Sequence, residues 1–397
     1  MTKAVINPRI RGFICTTSHP EGCAANVQRM VNVAAKAGPG KGLGNVLVVG
    51  ASGGYGLAST ITALFGHGAN VLGVAFERPG QGDRAGSGGW YNLAEVQKLA
   101  KASGKTFEAI IGDAFSTPIT EQTIATLKAR FGKIDTFIYS LASPKRTDPV
   151  TGVTHSSVLK PVGPVYTSQT IDLDTDQIKP ITIAPANEDE IANTVKVMGG
   201  EDWERWINAL RAADLIAPGF RTVAYSYIGP QITYAVYRKG TIGAAKDHLE
   251  ATAVRLNNEL KAAVGGGAWV SVNKALVTQA SSAIPVVPLY TSILYKVMKE
   301  NGTHEGTIEQ IVRLFAEHIG PGKMPKVDAA GRIRIDDREM DPAVQAAVDH
   351  IWQTVTSENL LAVSDYTSFK REFRTLFGFE VDGVDYSVPV EVEVVLS

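Results

Sequence analysis

Cysteine is scarce: Cys15 and Cys23 are the only two in 397 residues. Two thiols cannot staple a chain of this size, and they lack Cys-x-x-Cys spacing. They read as free thiols in a reducing, cytoplasmic setting. An excess of charge of one sign is also missing. Lys and Arg number 39 against 40 Asp and Glu, a formal net charge of −1, so there is no global footprint for nucleic acid or an anionic membrane. No apolar run reaches the roughly 18 residues of a membrane span, and the opening MTKAVINPRIRGF lacks the apolar centre of a signal peptide. The seven histidines show no metal-ligand spacing, so no metal is expected. Repeats and low-complexity segments are absent too. What is present is a globular balance, 44% hydrophobic and 20% charged, with 39 glycines. That many glycines favours an α/β chain, where strand-to-helix turns need them.

The placement of apolar runs sets the architecture. Asn45 to Val49, Asn70 to Phe76, Thr106 to Ile111 and Ile134 to Tyr139 are short and continuous, as in strands buried on both faces. Helical spacing falls between them, at Leu57 to Gly66, about 93–103 and about 120–131, after an N-terminal helix over Ala24 to Ala37. Gly38 to Gly44 reads as a flexible connector. Further strands are expected at Arg221 to Tyr227, Ala268 to Val272 and Arg332 to Ile335, with helices near 187–197, 201–212, 244–263, 289–301 and 305–319, more helix to about 376, and a β-prone tail over Val388 to Leu396. Strands alternating with helices predict a Rossmann-type doubly wound parallel sheet, short-chain-dehydrogenase-like. Pro144 to about Pro185, rich in Thr, Pro, Asp and Gly, reads as a hairpin-like insertion over the carboxyl edge of the sheet. The run Arg332 to Asp337 reads as a solvated strand face. The expected layout is a single enlarged domain over 1–397: an N-terminal extension 1–44, a dinucleotide-binding core 45–280 with the insertion at about 144–185, and substrate-covering helices and additions over 281–397.

Candidate site residues sit after successive strands. The loop Gly50-Ala51-Ser52-Gly53-Gly54-Tyr55-Gly56 joins the first strand of a βαβ unit to a helix, where backbone N–H groups and the helix dipole receive a pyrophosphate. Glu77, after the second strand, is placed to accept from the adenosine ribose hydroxyls and to repel a 2′-phosphate, favouring NADH over NADPH. Arg78 beside it works the other way. Asp113 follows the third strand and Ser140-Leu141-Ala142-Ser143 the fourth. No second glycine-rich nucleotide loop is present, so the sequence gives no support for a flavin. Gly50-Ala-Ser52-Gly-Gly54 also fits the G-x-S-x-G elbow of hydrolases. None of His67, His155, His248, His304, His318 and His350 plainly follows a late strand with an acid, and the elbow does not usually follow the first strand.

A reductase of this architecture needs a proton donor and a cation. Tyr295 with Lys299 and Tyr366 with Lys370 have the i,i+4 spacing of one helix face, yet both pairs lie beyond the expected core and read as surface-helix coincidences. Tyr237 and Lys246 follow the fifth strand instead. Nine steps of about 100° put them on opposite faces of a regular helix, so they meet only if the segment between is not all helix, which Gly240 and Gly243 permit. On the residues alone, a carbonyl or sugar oxidoreductase and a non-enzymatic NAD-sensing module remain alternatives.

At these residues the chain resembles the NADH-dependent trans-2-enoyl-ACP/CoA reductases of the long, monomeric kind with a Tyr-x8-Lys signature. The resemblance runs along essentially the whole chain. Its pieces are His19-Pro-x-Gly-Cys23, Gly50 to Ser59, Tyr139 to Pro144 with Arg146 to Pro149, Val197 to Trp206, Tyr225 to Lys246, and Ser271 to Thr278. It implies that Gly50, Ala51, Ser52, Gly53, Gly54, Tyr55, Phe76, Glu77, Asp113, Ala114, Leu141, Ala142, Lys246, Leu276, Val277 and Thr278 contact NAD. It makes Tyr237 the proton donor and Tyr227 a substrate-binding residue. An acyl chain needs an apolar tunnel, and Ala283 to Tyr295 reads either as a substrate-covering helix that lines one or as a plain core helix. Gly53 stands where the family often carries a small polar residue. The implied reaction is NADH-dependent reduction of an enoyl-CoA or enoyl-acyl carrier protein in fatty acid synthesis.

Overall fold

The computed structural model describes residues 3–36 and 42–396. Most of the expected connector, residues 38–41, lies outside the described residues. Seven strands form one sheet: β1 (Asn45–Val49), β2 (Asn70–Ala75), β3 (Phe107–Ile111), β4 (Ile134–Tyr139), β5 (Ile216–Ser226), β6 (Gly267–Val272) and β7 (Ile333–Arg334). All pairings are parallel, in the order β7-β6-β5-β4-β1-β2-β3. The chain order reverses between β1 and β4, which opens a crevice at the carboxyl ends of those strands.

The continuous apolar runs follow from two covered faces. Val46 and Val48 pack with Val27, Met30, Leu57, Ile61, Leu93, Ile308 and Ile311 on one side. Those residues come from helices Pro20–Lys36, Gly54–Ile61, Gly88–Ala102 and Thr307–Leu314. Leu47 and Val49 pack with Trp203, Trp206, Leu210, Leu249 and Leu256 on the other, carried by helices Glu201–Ala212 and Thr241–Val264. A third cluster holds helix Val287–Glu300 against Pro342–Thr354 and Tyr366–Thr375.

The ribbon Tyr166–Asp172 with Gln177–Ile183 is the expected insertion, and it packs against helix Val287–Glu300. Strand β5 starts earlier than its pattern suggested. Pro218 and Gly219 break the apolar run, and the sheet absorbs them as a register shift between Ile216 and Arg221. Of the β-prone tail only Val390–Glu391 pairs, with Lys3–Ala4. The Arg332 to Asp337 run is not a solvated face. Ile333 and Ile335 are fully buried because β7 is a sheet strand, and Arg334 forms two 2.7 Å bonds to buried Asp336. Among the described residues no helix is long and apolar enough to cross a membrane, and no cluster of ligating side chains could hold a metal.

Candidate active site

Gly50 turns off β1 with φ +88°, and a Cβ there would lie 2.1 Å from the Ser140 carbonyl oxygen. Only glycine lets the loop pass this close to the end of β4. The amides of Gly50 and Ala51 are used by Val74 O, so the loop stays locked to the sheet as it turns. No side chain caps helix Gly54–Ile61, and its first N–H groups face the crevice bare, a cradle for an anion. Gly53 has open space around its Cβ position and an extended φ of −151°, so a larger residue fits there without strain.

The other predicted residues gather along the same edge. Ser52 Oγ donates to Glu77 Oε1 at 2.5 Å, joining the loop to the end of β2. Phe76 before it is 80% exposed, an apolar ring left in the open beside the acid. Asp113 is exposed and accepts from the Phe115 amide, and Ala114 is buried with its carbonyl held by Arg205. Leu141 is half-buried and Ala142 exposed. Leu276 and Val277 are buried and Thr278 half-buried after β6, with Thr278 Cγ2 3.8 Å from the Cβ position of Gly54. Tyr55 donates its hydroxyl to Lys274 O at 2.7 Å, so its phenol braces the loop from below.

The segment between Tyr237 and Lys246 is not all helix. A short helix, Gln231–Tyr234, gives way to a turn carrying Tyr237. Helix Thr241–Val264 then starts afresh from Gly240, with Lys246 in its second turn. The turn lies so close on the new helix that a Cβ at Gly243 would sit 2.0 Å from the Arg238 carbonyl oxygen. Tyr237 packs with Ile242, Ile284 and Val287. Tyr227 meets it edge to face, ring centroids 4.9 Å apart at 80°. The Tyr237 hydroxyl has no hydrogen-bond partner among the described residues, and burial pushes its pKa up, so it keeps its proton. Lys246 Nζ is 3.4 Å from Tyr225 O. Burial pushes its pKa down to about 8 while Glu250 pulls it up, which leaves it mostly a cation at neutral pH. Val286, at φ +74° and fully buried, is a strained β-branched residue between Ile284 and Val287 in the chain.

The two decoy pairs are not surface coincidences but serve the scaffold, since Tyr295 and Tyr366 are fully buried. Tyr295 accepts from the Val277 amide and donates to Glu372, and Lys299 binds Asp365. Tyr366 and Lys370 both bind Asp176 at the turn of the inserted ribbon. Of Ala283 to Tyr295, Ile284 and Val287 reach Tyr237, while Leu289, Tyr290, Ile293, Leu294 and Tyr295 are core. Sequence reasoning missed Glu339. Its carboxylate is fully buried and binds Tyr227 and Tyr290, but it sits among Asp336, Asp337 and Asp341 with no local pattern to single it out.

A parallel sheet with a glycine cradle on its first strand, an acid after the second and a Tyr–Lys pair after the fifth defines a Rossmann-type, nicotinamide-dependent oxidoreductase. Two sequence profiles make this particular: the trans-2-enoyl-CoA reductase catalytic region matches residues 84–319 and the NAD(P)H binding domain of trans-2-enoyl-CoA reductase residues 5–82. The chain belongs to the trans-2-enoyl-CoA reductase family. It is 55% identical to an enoyl-[acyl-carrier-protein] reductase [NADH] of Cytophaga hutchinsonii over 99% of each chain. It is 54% identical to a trans-2-enoyl-CoA reductase [NADH] of Clostridium perfringens over 98% of this chain and 100% of that one. The crystal structure of Treponema denticola trans-2-enoyl-CoA reductase in complex with NAD superposes with a TM-score of 0.93 at 48% identity, covering 99% of both chains.

A third profile, the enoyl reductase FAD binding domain, matches residues 327–390. The residues there do not fit a flavin dinucleotide, whose pyrophosphate needs free N–H groups or unpaired guanidinium groups. Asp341 and Asp365 cap the helices Pro342–Thr354 and Tyr366–Thr375. Arg332, Arg334, Arg338, Arg371 and Arg374 are each paired with a carboxylate. Tyr366, Phe369 and Phe373 are buried in the core.

Proposed function

We propose that this protein reduces the trans-2 double bond of enoyl thioesters, carried on CoA or acyl carrier protein, at the expense of NADH in fatty acid synthesis. The observation that carries the reading is the pairing of the Gly50 cradle with an unpartnered Tyr237 hydroxyl at the same sheet edge. Gly50 to Tyr55 would hold the pyrophosphate, Glu77 the adenosine ribose, and Leu276 to Thr278 the nicotinamide end, with Asp113, Ala114, Leu141 and Ala142 completing the cofactor groove. NADH, when bound, supplies the hydride that the β-carbon takes up.

The chain's own part is electrostatic. As the β-carbon gains hydride, negative charge builds on the thioester oxygen. Tyr237 donates a hydrogen bond to that oxygen, and this bond strengthens as the charge develops, the kind of donor worth about 3–4 kcal/mol in a transition state. Lys246 holds the cofactor ribose, and its positive charge lowers the cost of the Tyr237 proton moving toward the substrate. Tyr227 contacts the substrate beside it. Protonation at the α-carbon leaves the saturated thioester. Ile284 and Val287 offer the acyl chain an apolar wall. One enlarged domain over 1–397, acting as a cytoplasmic monomer, is part of the same reading.

Loss of NADH absorbance on addition of crotonyl-CoA tests the activity. Tyr237→Phe should lower kcat by about 10²- to 10³-fold with NADH binding retained, whereas Tyr295→Phe should keep proton transfer. Turnover by Tyr237→Phe at the wild-type rate removes Tyr237 from its role, and no turnover of any enoyl thioester by the wild type would favour an NAD-sensing module.

A further inference from the structure

Glu339 lies between β7 and helix Pro342–Thr354, in the segment matched by the flavin-named profile, and its carboxylate is fully buried. Its position is fixed from both sides along the chain. Arg334 clasps Asp336, Arg313 binds Asp337 at 2.9 Å, Arg338 binds Glu305 at 3.1 Å, and Asp341 caps the following helix. Glu339 Oε2 accepts from the Ala275 amide at 2.6 Å. Oε1 faces two phenols, Tyr290 at 2.7 Å and Tyr227 at 3.0 Å.

The direction of each hydrogen bond follows from what each group can do. The Ala275 amide only donates. Gln345 Nε2 donates to the Tyr290 oxygen at 3.1 Å and to the Glu339 carbonyl at 2.7 Å, so the Tyr290 proton points to Glu339. Burial favours a protonated Glu339, but the nearby Lys274 charge, the Ala275 amide and the Tyr290 phenol all favour the carboxylate, and a carboxylate only accepts. The Tyr227 hydroxyl therefore gives its single proton to Glu339, and burial together with the carboxylate keeps that phenol protonated. With its proton so engaged, the Tyr227 hydroxyl can only accept from a substrate, while the Tyr237 hydroxyl of the neighbouring ring has no partner among the described residues.

We propose that Glu339 is a positioning residue for the reduction: it withholds the Tyr227 proton and locks the Tyr227 ring against Tyr237, so that Tyr237 alone donates to the thioester oxygen. This rests on the assignment of Tyr237 made above. It also gives the 327–390 segment a part in the reaction, as the source of the carboxylate that orders the two tyrosines.

The test is a double-mutant cycle of Glu339→Gln and Tyr227→Phe, read as kcat with crotonyl-CoA alongside the NADH dissociation constant. In E339Q the amide oxygen must turn to the Ala275 N–H, so the NH2 group faces the phenols and the Tyr227 proton is released toward the substrate. The expected result is a kcat lowered about ten- to a hundredfold, as for misplacement of reacting groups, with NADH binding unchanged. In the Tyr227→Phe background the same substitution should change kcat by less than about twofold, because its route through the phenol is gone. A purely structural loss would multiply with Tyr227→Phe, and that result, or wild-type kcat in E339Q, overturns the proposal. If E339Q does not fold, Glu339→Asp keeps the charge but draws the carboxylate back from the Tyr227 hydroxyl, now 3.0 Å away, and it enters the same cycle with the same expected non-additivity. Tyr237→Phe, run in parallel, separates the two readings. If it turns over normally the assignment of Tyr237 fails, and if it is inactive while the cycle is multiplicative, only the role of Glu339 fails.

Discussion

Gly243→Ala perturbs the Tyr237 turn without touching the cofactor cradle. A methyl at this position would lie 2.0 Å from the Arg238 carbonyl oxygen, 2.5 Å from its carbon and 2.8 Å from the Tyr237 carbonyl oxygen, all backbone atoms. To reach ordinary contact at 3.4 Å the Arg238 carbonyl has to retreat by about 1.4 Å, and Tyr237 is the residue before it. Overpacking of this kind costs about 1–3 kcal/mol of stability, which a chain of this size survives. A displacement near 1 Å in a group that must meet a reacting atom costs about 10²-fold in rate, or about 2.7 kcal/mol of activation free energy. The assay is steady-state NADH oxidation with crotonyl-CoA, paired with a fluorescence titration of NADH and a thermal melt. The expected outcome is a kcat about a hundredfold down, an NADH dissociation constant within about twofold of wild type, and a cooperative melt at a lower temperature. A folded G243A protein with wild-type kcat would refute the claim that this close approach sets the position of the proton donor.

The cradle predicts a contrast between neighbouring glycines. Gly50→Ala, blocked by Ser140 O and a φ of +88°, should abolish measurable NADH binding, while Gly53→Ala, with open space around it, should leave the dissociation constant unchanged in the same titration. Glu77→Ala removes the carboxylate that Ser52 holds at 2.5 Å and should raise kcat/KM for NADPH relative to NADH by about tenfold or more, since 1.4 kcal/mol of relieved repulsion suffices; an unmoved ratio would rule out the ribose role. Lys246, with a pKa pushed down to about 8 by burial, is charged below that value and neutral above it. KM for NADH should therefore rise as pH passes from about 7 to 9, and Lys246→Met should show a high KM with no such rise.

Much of the architecture was legible locally. A strand covered on both faces must be apolar at every position, so Asn45 to Val49 and its counterparts announced themselves, and their alternation with helices implied a parallel sheet. The glycines at 50, 54 and 56 and the Tyr237–Lys246 spacing were equally local. Strand β7 lies where its pattern placed it, but its exposure was misjudged because its arginines signal solvent, whereas Arg334 is spent on buried Asp336. The i,i+4 decoys were set aside by their place in the chain but misread as surface pairs, since spacing places two side chains on one helix face without saying what that face meets. Tyr295 meets Val277 and Glu372, and Tyr366 meets Asp176.

By itself, then, the sequence determined a near-neutral, thiol-poor α/β chain, its succession of strands and helices and its glycine loop, and through extended motifs its family. These are properties of neighbouring residues, written in apolar periodicity and in the backbone freedom of glycine. Tertiary structure alone decided which hydroxyl is free to act. Tyr227 and Glu339 are 112 residues apart, and no pattern along the chain records that one phenol gives its proton to a buried carboxylate while its neighbour Tyr237 keeps one to donate. Hydrogen-bond direction depends on which groups packing brings together, and that is settled only when the chain has folded.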